Sequence, residues 1–132
     1  MEALRTKIGD MGIIISNPVN AFYFSGINSS NITLYITKDE LFLITDFRYQ
    51  EAARKNECGF FVLSQKSVIE SLQEIGLREK VLVETDFLTC DAYNDFCLNF
   101  VETSFFPAGS TVSELRIIKE EIEIEYMKQA QQ

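Results

Sequence analysis

The chain has 132 residues, 46% of them apolar and including five tyrosines and eleven phenylalanines, which is enough to bury one ordinary core and argues against disorder. Twelve basic residues against twenty acidic ones give a net charge of −8, which repels nucleic-acid phosphates and anionic lipid surfaces, so neither is an expected partner. The chain has no histidine, and this removes Ser-His and Cys-His nucleophilic pairs, H-E-x-x-H zinc sites and the commonest general base near neutral pH. Chemistry done by this chain alone would rest on carboxylates, Lys, Tyr or Cys. No apolar run approaches the roughly 18 residues that a membrane span needs, and the opening M-E-A-L-R-T-K lacks the apolar stretch of a secretory signal, so the expected location is the cytoplasm.

In chain order, Leu4 and Ile8 share one face of a short helix that Gly9 can end. Met11 to Ser16 carry the buried strand G-I-I-I-S. Asn17 caps a second helix, with Pro18 at its first position, where a missing N–H costs little; it runs through Asn20 to about Phe24, before Gly26. The polar G-I-N-S-S-N is a loop. Ile32 to Thr37 and Leu41 to Thr45 are β-rich runs joined by K-D-E, and an antiparallel hairpin is their simplest pairing. Gly59 to Leu63 is a further strand. Ser67 opens a helix with Val68, Ile69, Leu72 and Ile75 on its apolar face and Gly76 as its stop, followed by a strand at Val81 to Val83. Thr89 caps a helix with Tyr93, Phe96, Cys97 and Phe100 on one face, and after Phe105, Phe106 and Pro107 the chain turns. This alternation predicts one α/β domain, a mixed β-sheet with helices on both faces.

The closing T-V-S-E-L-R-I-I-K-E-E-I-E-I-E-Y-M-K-Q-A-Q-Q opens with a capping box, Thr111 with Glu114. Leu115, Ile118, Ile122 and Met127 form one apolar stripe, whereas Ile117 and Ile124 point elsewhere and suggest a second surface. The expected division is a domain over residues 1–112 and a connecting helix over 113–132, leading toward a further domain. A frayed terminal helix is the alternative.

Asp46 follows a strand and precedes F-R-Y-Q-E-A-A-R-K, so the default role of its carboxylate is an N-cap, accepting from the backbone of Arg48 or Tyr49. Tyr49 with Ala52 and Ala53 would line the inward stripe of that helix. Arg48 is less easily explained, because a cation in the first turn opposes the helix dipole by about 0.3–1 kcal/mol unless an anion meets it, and Glu51 offers only an exposed partner. The loop G-I-N-S-S-N is rich in small donors, yet it lacks G-x-G-x-x-G and G-K-[ST] and leads into a strand, so a phosphate site is not expected. Glu84 and Asp86 read either as a carboxylate pair or, by default, as two solvated acids at a strand-to-helix turn; the E-E-I-E-I-E run is a solvated helix face. Cys58, Cys90 and Cys97 lack metal-type spacing; Cys90 and Cys97, two helical turns and about 10 Å apart, are too distant for a disulfide and read as small core residues.

Several motifs together resemble the N-terminal domain of the creatinase/prolidase family, particularly its Xaa-Pro dipeptidases and aminopeptidases. S-N-P-V-N-A-F-Y-F-S-G is similar to the family's S-P-x-N-x-x-Y-L-T-G, and I-T-K-D-E-L-F-L-I-T-D-F-R-Y-Q-E-A-A to its hairpin followed by T-D-x-R-Y-x-x-Q-A. V-S-E-L-R-I-I-K-E-E-I-E-I-E-Y-M-K-Q-A is similar to V-x-x-L-R-x-I-K-x-x-x-E-I-x-x-I-x-x-A. Each motif alone is weak; their order and separations make the set specific over nearly the whole chain.

The resemblance implies a creatinase/prolidase N-terminal-like, ribonuclease H-like α/β domain preceding a C-terminal catalytic domain. There two divalent metal ions, commonly manganese, held by Asp, His and Glu, activate a water that hydrolyses the bond before proline. None of those ligands maps onto this chain, so no catalytic or metal-binding residue is expected in it. Its implied roles are noncatalytic: contacts within a homodimer, and one wall of the site that takes proline-containing peptides in the partner subunit. By position that wall is Tyr23, Gly26, Ile27, Asn28, Ser29, Ser30 and Arg48, with Asn20, Asp46 and Tyr49 as the structural motif. The uncharged loop leaves only neutral hydrogen bonds and shape for recognition, and Phe47 stands where Gly is usual. The alternatives are a free-standing α/β module binding a small ligand or a protein, and a carboxylate enzyme built on Glu84 and Asp86.

Overall fold

Four consecutive buried residues, Gly12 to Ile15, leave no solvent face for their strand, so both of its faces must be covered. The computed structural model describes residues 2–27, 32–45, 61–64, 67–109 and 112. Its elements are α1 (Glu2–Ile8), β1 (Gly12–Ile15), α2 (Pro18–Ser25), β2 (Ile32–Ile36), β3 (Leu41–Thr45), β4 (Phe61–Ser64), α3 (Val68–Ile75), β5 (Lys80–Val83), α4 (Cys90–Asn99) and β6 (Ser104–Pro107). The six strands lie in the order β4-β3-β2-β1-β5-β6. β1 is central, antiparallel to β2 through Ile13 opposite Ile36 and parallel to β5 through Ile14 opposite Val83. β2 and β3 form the predicted hairpin, and β4 and β6 add parallel edges.

Strand side chains alternate faces with a period of two, and the two cores follow that rule. Ile13, Ile15, Leu34, Ile36, Leu43 and Leu82 face Leu4 and Ile8 of α1 and Ala21 and Phe24 of α2. Ile14, Tyr35, Ile44, Val81 and Val83 face Leu72 of α3 and Phe96 of α4. The result is the expected mixed α/β sheet with helices on both faces. In the hairpin turn, Thr37 is buried and its Oγ1 accepts from the backbone N–H groups of Asp39 (3.4 Å) and Glu40 (3.1 Å), which pairs two of the turn's amides.

Three expectations need correction. Ser104 to Pro107, expected only to lead into a turn, form an edge strand: Phe105 lies opposite Val81 and Pro107 opposite Val83, and a proline is tolerated there because an edge strand has one unpaired side. Cys90 and Cys97 are exposed rather than in the core, because the apolar face of α4 is carried by Phe96, with Tyr93 and Phe100 packed at its margins. The fourth strand is described over Phe61–Ser64, ending one residue past the expected Leu63, and Gly59 and Phe60 lie outside the described residues. Val112 is buried in the first core, whereas the division at 112/113, the terminal helix with Leu115 to Met127, and Cys58 lie outside the described residues.

Candidate functional site

α2 begins where β1 leaves the sheet. Asn17 takes extended backbone angles, and its Oδ1 accepts from the N–H of Val19 at 3.0 Å, while Pro18 occupies the first helical position. Gly26 ends the helix at φ 75°, donating its N–H to the carbonyl of Phe22 at 2.8 Å. A left-handed residue at this place is what turns the chain off the helix axis, and glycine adopts it without steric cost. Ser25 ties the exit together: its Oγ donates to the carbonyl of Ala21 (2.7 Å) and accepts from the N–H of Ile27 (3.2 Å). Tyr23 is half-buried, edge-to-face on Phe24 with ring centroids 4.9 Å apart, and both it and Ile27 pack against the first core.

Of the residues expected to form the site, Asn20, Tyr23, Gly26 and Ile27 are thus brought together on α2 and its exit. Asn28, Ser29, Ser30, Asp46, Arg48 and Tyr49 lie outside the described residues. Ile32, where β2 begins, lies opposite Thr45, where β3 ends. Thr45 is buried there, and its Oγ1 has no hydrogen-bond partner among the described residues.

β1 and β5 run parallel and end at this same edge, and their following helices go to opposite faces, α2 toward β2 and α4 toward β6. Such a switch point is where open α/β sheets leave a crevice for ligands. Here a side chain of the protein fills it. Glu84, immediately after β5, is 3% exposed. Its Oε1 accepts from the backbone N–H groups of Ser16 and of Asn17 (2.8 Å), and its Oε2 accepts from Nδ2 of Asn20 at 2.6 Å. The Glu84 carbonyl accepts from the N–H groups of Phe87 (3.0 Å) and Leu88 (2.9 Å), which starts the turn toward α4.

This corrects the reading of Glu84 as a solvated acid. Asp86 is exposed, so the two carboxylates do not share a site. The signal for Glu84 was present in the sequence: α2 has no acid in its own first turn, and period-two alternation puts Glu84 on the same face as buried Leu82. The positive end of a helix favours an anion, and a residue 64 positions from Asn20 supplies it.

On the opposite face, Thr85, Leu88, Thr89, Cys90, Tyr93 and Asn94 line a cavity of about 370 Å³ at the start of α4. Thr89 caps that helix, accepting from the N–H of Ala92 at 3.1 Å. The phenol of Tyr93 is pushed up, first by the charge of Cys97 one turn on, with burial and a hydrogen bond to Cys97 adding to it. Among the described residues no carboxylate or cation lines this cavity, and its titratable side chains are Cys90 and Tyr93. Among the described residues no group of three or more His, Cys, Asp or Glu side chains is placed to hold a metal ion, and the sequence has no histidine.

Comparison with known proteins gives this arrangement its context. Residues 2–118 match the Creatinase/Prolidase N-terminal domain. The chain is 26% identical to the uncharacterized peptidase YqhT of Bacillus subtilis (strain 168), over 98% of this chain and 39% of that protein. It is similar to the solved Xaa-Pro dipeptidase from Bacillus anthracis, at 28% identity and a TM-score of 0.76, covering 87% of this chain and 34% of that one. It is also similar to the N-terminal domain of the cytoplasmic peptidase PepQ from Mycobacterium tuberculosis, at 26% identity and a TM-score of 0.76, covering 86% of this chain and 95% of that domain. The chain therefore spans well under half of the longer peptidases it resembles, and nearly all of a solved domain. With the match running from the first helix past the last strand, the chain belongs to the creatinase/prolidase N-terminal domain family.

Proposed function

We propose that this chain is the noncatalytic N-terminal domain of a cytoplasmic Xaa-Pro dipeptidase or aminopeptidase, contributing dimer contacts and one wall of the partner subunit's peptide site. The observation that carries the reading is the match of residues 2–118 to this domain, in a chain that spans 39% of a related peptidase. The B. anthracis relative is an Xaa-Pro dipeptidase and the M. tuberculosis relative a cytoplasmic peptidase, which support the substrate class and the location. In this reading, the metal ions, manganese by resemblance, belong to a catalytic domain downstream of residues 1–112, joined by the helix of 113–132. The residues of this chain bind and orient. Gly26 and Ile27 start the loop that continues through Asn28, Ser29 and Ser30, Tyr23 supports it from α2, and Arg48 adds a cation.

The outer face of α2 favours a contact with another chain or domain. One side of this helix is buried, yet Val19 and Phe22 on the other are 55% and 48% exposed. A helix apolar on both sides fits a place between two surfaces. The rival small-ligand module is disfavoured at the switch point, where Glu84 already occupies the anion position.

Two preparations test the proposal: the 132-residue chain alone, and the same chain joined to the segment encoded downstream. Only the second should hydrolyse an Ala-Pro dipeptide or an Ala-Pro-Ala tripeptide with manganese present, and Arg48→Ala should impair it. Turnover by the 132-residue chain, or a downstream reading frame without Asp, His and Glu ligands, overturns the proposal.

A further inference from the structure

We propose that Glu84 is a positioning residue for the loop that begins at Gly26, acting through one continuous line of hydrogen bonds; the functional half of this inference rests on the proposed function above. The line starts at Glu84 Oε1, which accepts from the N–H of Asn17 at 2.8 Å. The Asn17 carbonyl accepts from the N–H of Ala21 at 2.9 Å, and the Ala21 carbonyl accepts from Ser25 Oγ at 2.7 Å. Ser25 Oγ in turn accepts from the N–H of Ile27 at 3.2 Å. Asn20, donating to Glu84 Oε2 at 2.6 Å, braces the same helix from its side. Glu84, Ala21 and Ser25 are buried, whereas Asn17 and Ile27 at the two ends are half-buried, so the middle of the path is shielded from water.

α2 has eight residues, which makes it about 12 Å long and too short to hold its shape unaided in water. Its anchors decide where it sits. The apolar anchor, Ala21 and Phe24 on the first core, is non-directional and tolerates sliding and rotation. The carboxylate is directional: three donors converge on two oxygens, which fixes both the height and the rotation of the helix over the sheet. Without Glu84 those donors lose their acceptor in a buried place, and the helix start must shift toward water to recover one. That shift passes along the line to the N–H of Ile27, the second residue of the loop.

Residue-resolved amide hydrogen exchange on the 132-residue chain is the test. Glu84→Gln sets an amide donor against Nδ2 of Asn20, and it should speed exchange at Gly26 and Ile27 about tenfold, the factor matching loss of one charge-assisted hydrogen bond, while the sheet amides of Ile14 and Leu82 keep their rates. Adding Asn20→Asp restores a donor–acceptor pair and should slow Ile27 again. Faster exchange at Ser16 and Asn17 alone, or an equal rise at Ile14 and Leu82, would overturn the proposal and leave Glu84 a stabilising contact. Should Glu84→Gln fail to fold, Ser25→Ala cuts the line at its far end: Ile27 should exchange faster with Ser16 and Asn17 unchanged, and an unchanged Ile27 rate overturns the line.

In the longer polypeptide, Glu84→Gln should raise KM for an Ala-Pro dipeptide, with Asn20→Asp restoring it. A wild type that does not cleave the peptide refutes the functional reading while the exchange result still decides the line. An unchanged KM despite faster exchange at Ile27 refutes the functional half alone.

Discussion

Gly12 lies close against Tyr35 across the sheet, and Gly12→Ala gives the clearest physical prediction. A Cβ at this position would stand 2.8 Å from both Cε2 and the hydroxyl oxygen of Tyr35, and 3.1 Å from Cζ. The ring cannot simply move aside. Tyr35 is 1% exposed, lies nearly parallel to Phe42 with centroids 6.3 Å apart, and its hydroxyl accepts from the backbone N–H of Arg78 at 3.0 Å. Overpacking of this kind costs about 1–3 kcal/mol, and replacing a strand glycine with alanine returns about 0.5–1 kcal/mol of backbone entropy. The net expectation is a loss of about 1–2 kcal/mol. In urea, with a slope of about 2 kcal/mol per molar, the midpoint should fall by about 0.5–1 M without a change in slope. Tyr35→Phe frees the ring from Arg78 and removes one of the two nearest atoms, so the cost of Gly12→Ala should shrink by at least about 0.5 kcal/mol in that background. An unchanged or raised midpoint for Gly12→Ala, or full additivity of the two substitutions, would refute the reasoning.

Other outcomes follow from the same geometry. Burial pushes the phenol of Tyr35 above its ordinary value of 10.0, with the Arg78 N–H and the Arg78 charge opposing the rise and Glu40 adding to it. A raised acid binds its proton more tightly in the folded state, so this part of the stability is complete below pH 10.0 and is lost as pH climbs from there through the folded value; Tyr35→Phe should flatten that alkaline decline in denaturation curves. Gly26→Ala should destabilise the chain by about 1 kcal/mol and Gly26→Asn by less, because an added Cβ meets no atom within 4 Å and the cost is the backbone angle alone, as melting temperatures would show. Cys90 and Cys97 are exposed, so both should react with a thiol reagent in the native protein, and serine at either should change stability by less than about 0.5 kcal/mol. Cys97→Ser should also bring the Tyr93 phenol back toward its ordinary value in a spectroscopic titration, since the charge of Cys97 is the leading cause of its rise.

Local signals are strong in this chain. Asn17 and Pro18 start α2, Gly26 ends it, Thr89 starts α4 and Gly76 follows α3, because a cap is a bargain among residues two to four positions apart. The hairpin and the run Gly12 to Ile15 were legible for a similar reason: a strand without a polar face has to lie inside. The motif residues Asn20, Tyr23, Gly26 and Ile27 fall together for the same local reason, being successive turns of one helix and its exit.

The misses were all settled by a distant neighbour. Ser104 to Pro107 has the proline of a turn and too few residues to announce a strand; it becomes one because β5 offers Val81 and Val83 as partners. Cys97 has the helical spacing of a core residue, yet Phe96 with its aromatic neighbours already covers the sheet there. Glu84 is the sharpest case. By itself a glutamate after a strand is a solvated acid, and desolvating it is costly unless donors replace the lost water. Those donors, at Ser16, Asn17 and Asn20, lie more than sixty residues earlier and arrive only when β1 and β5 pair in parallel. Sequence alone determined most of the described strands and helices, several of their caps and the family they serve. The tertiary structure decided which polar group is worth burying, because that energy depends on partners brought together by the sheet.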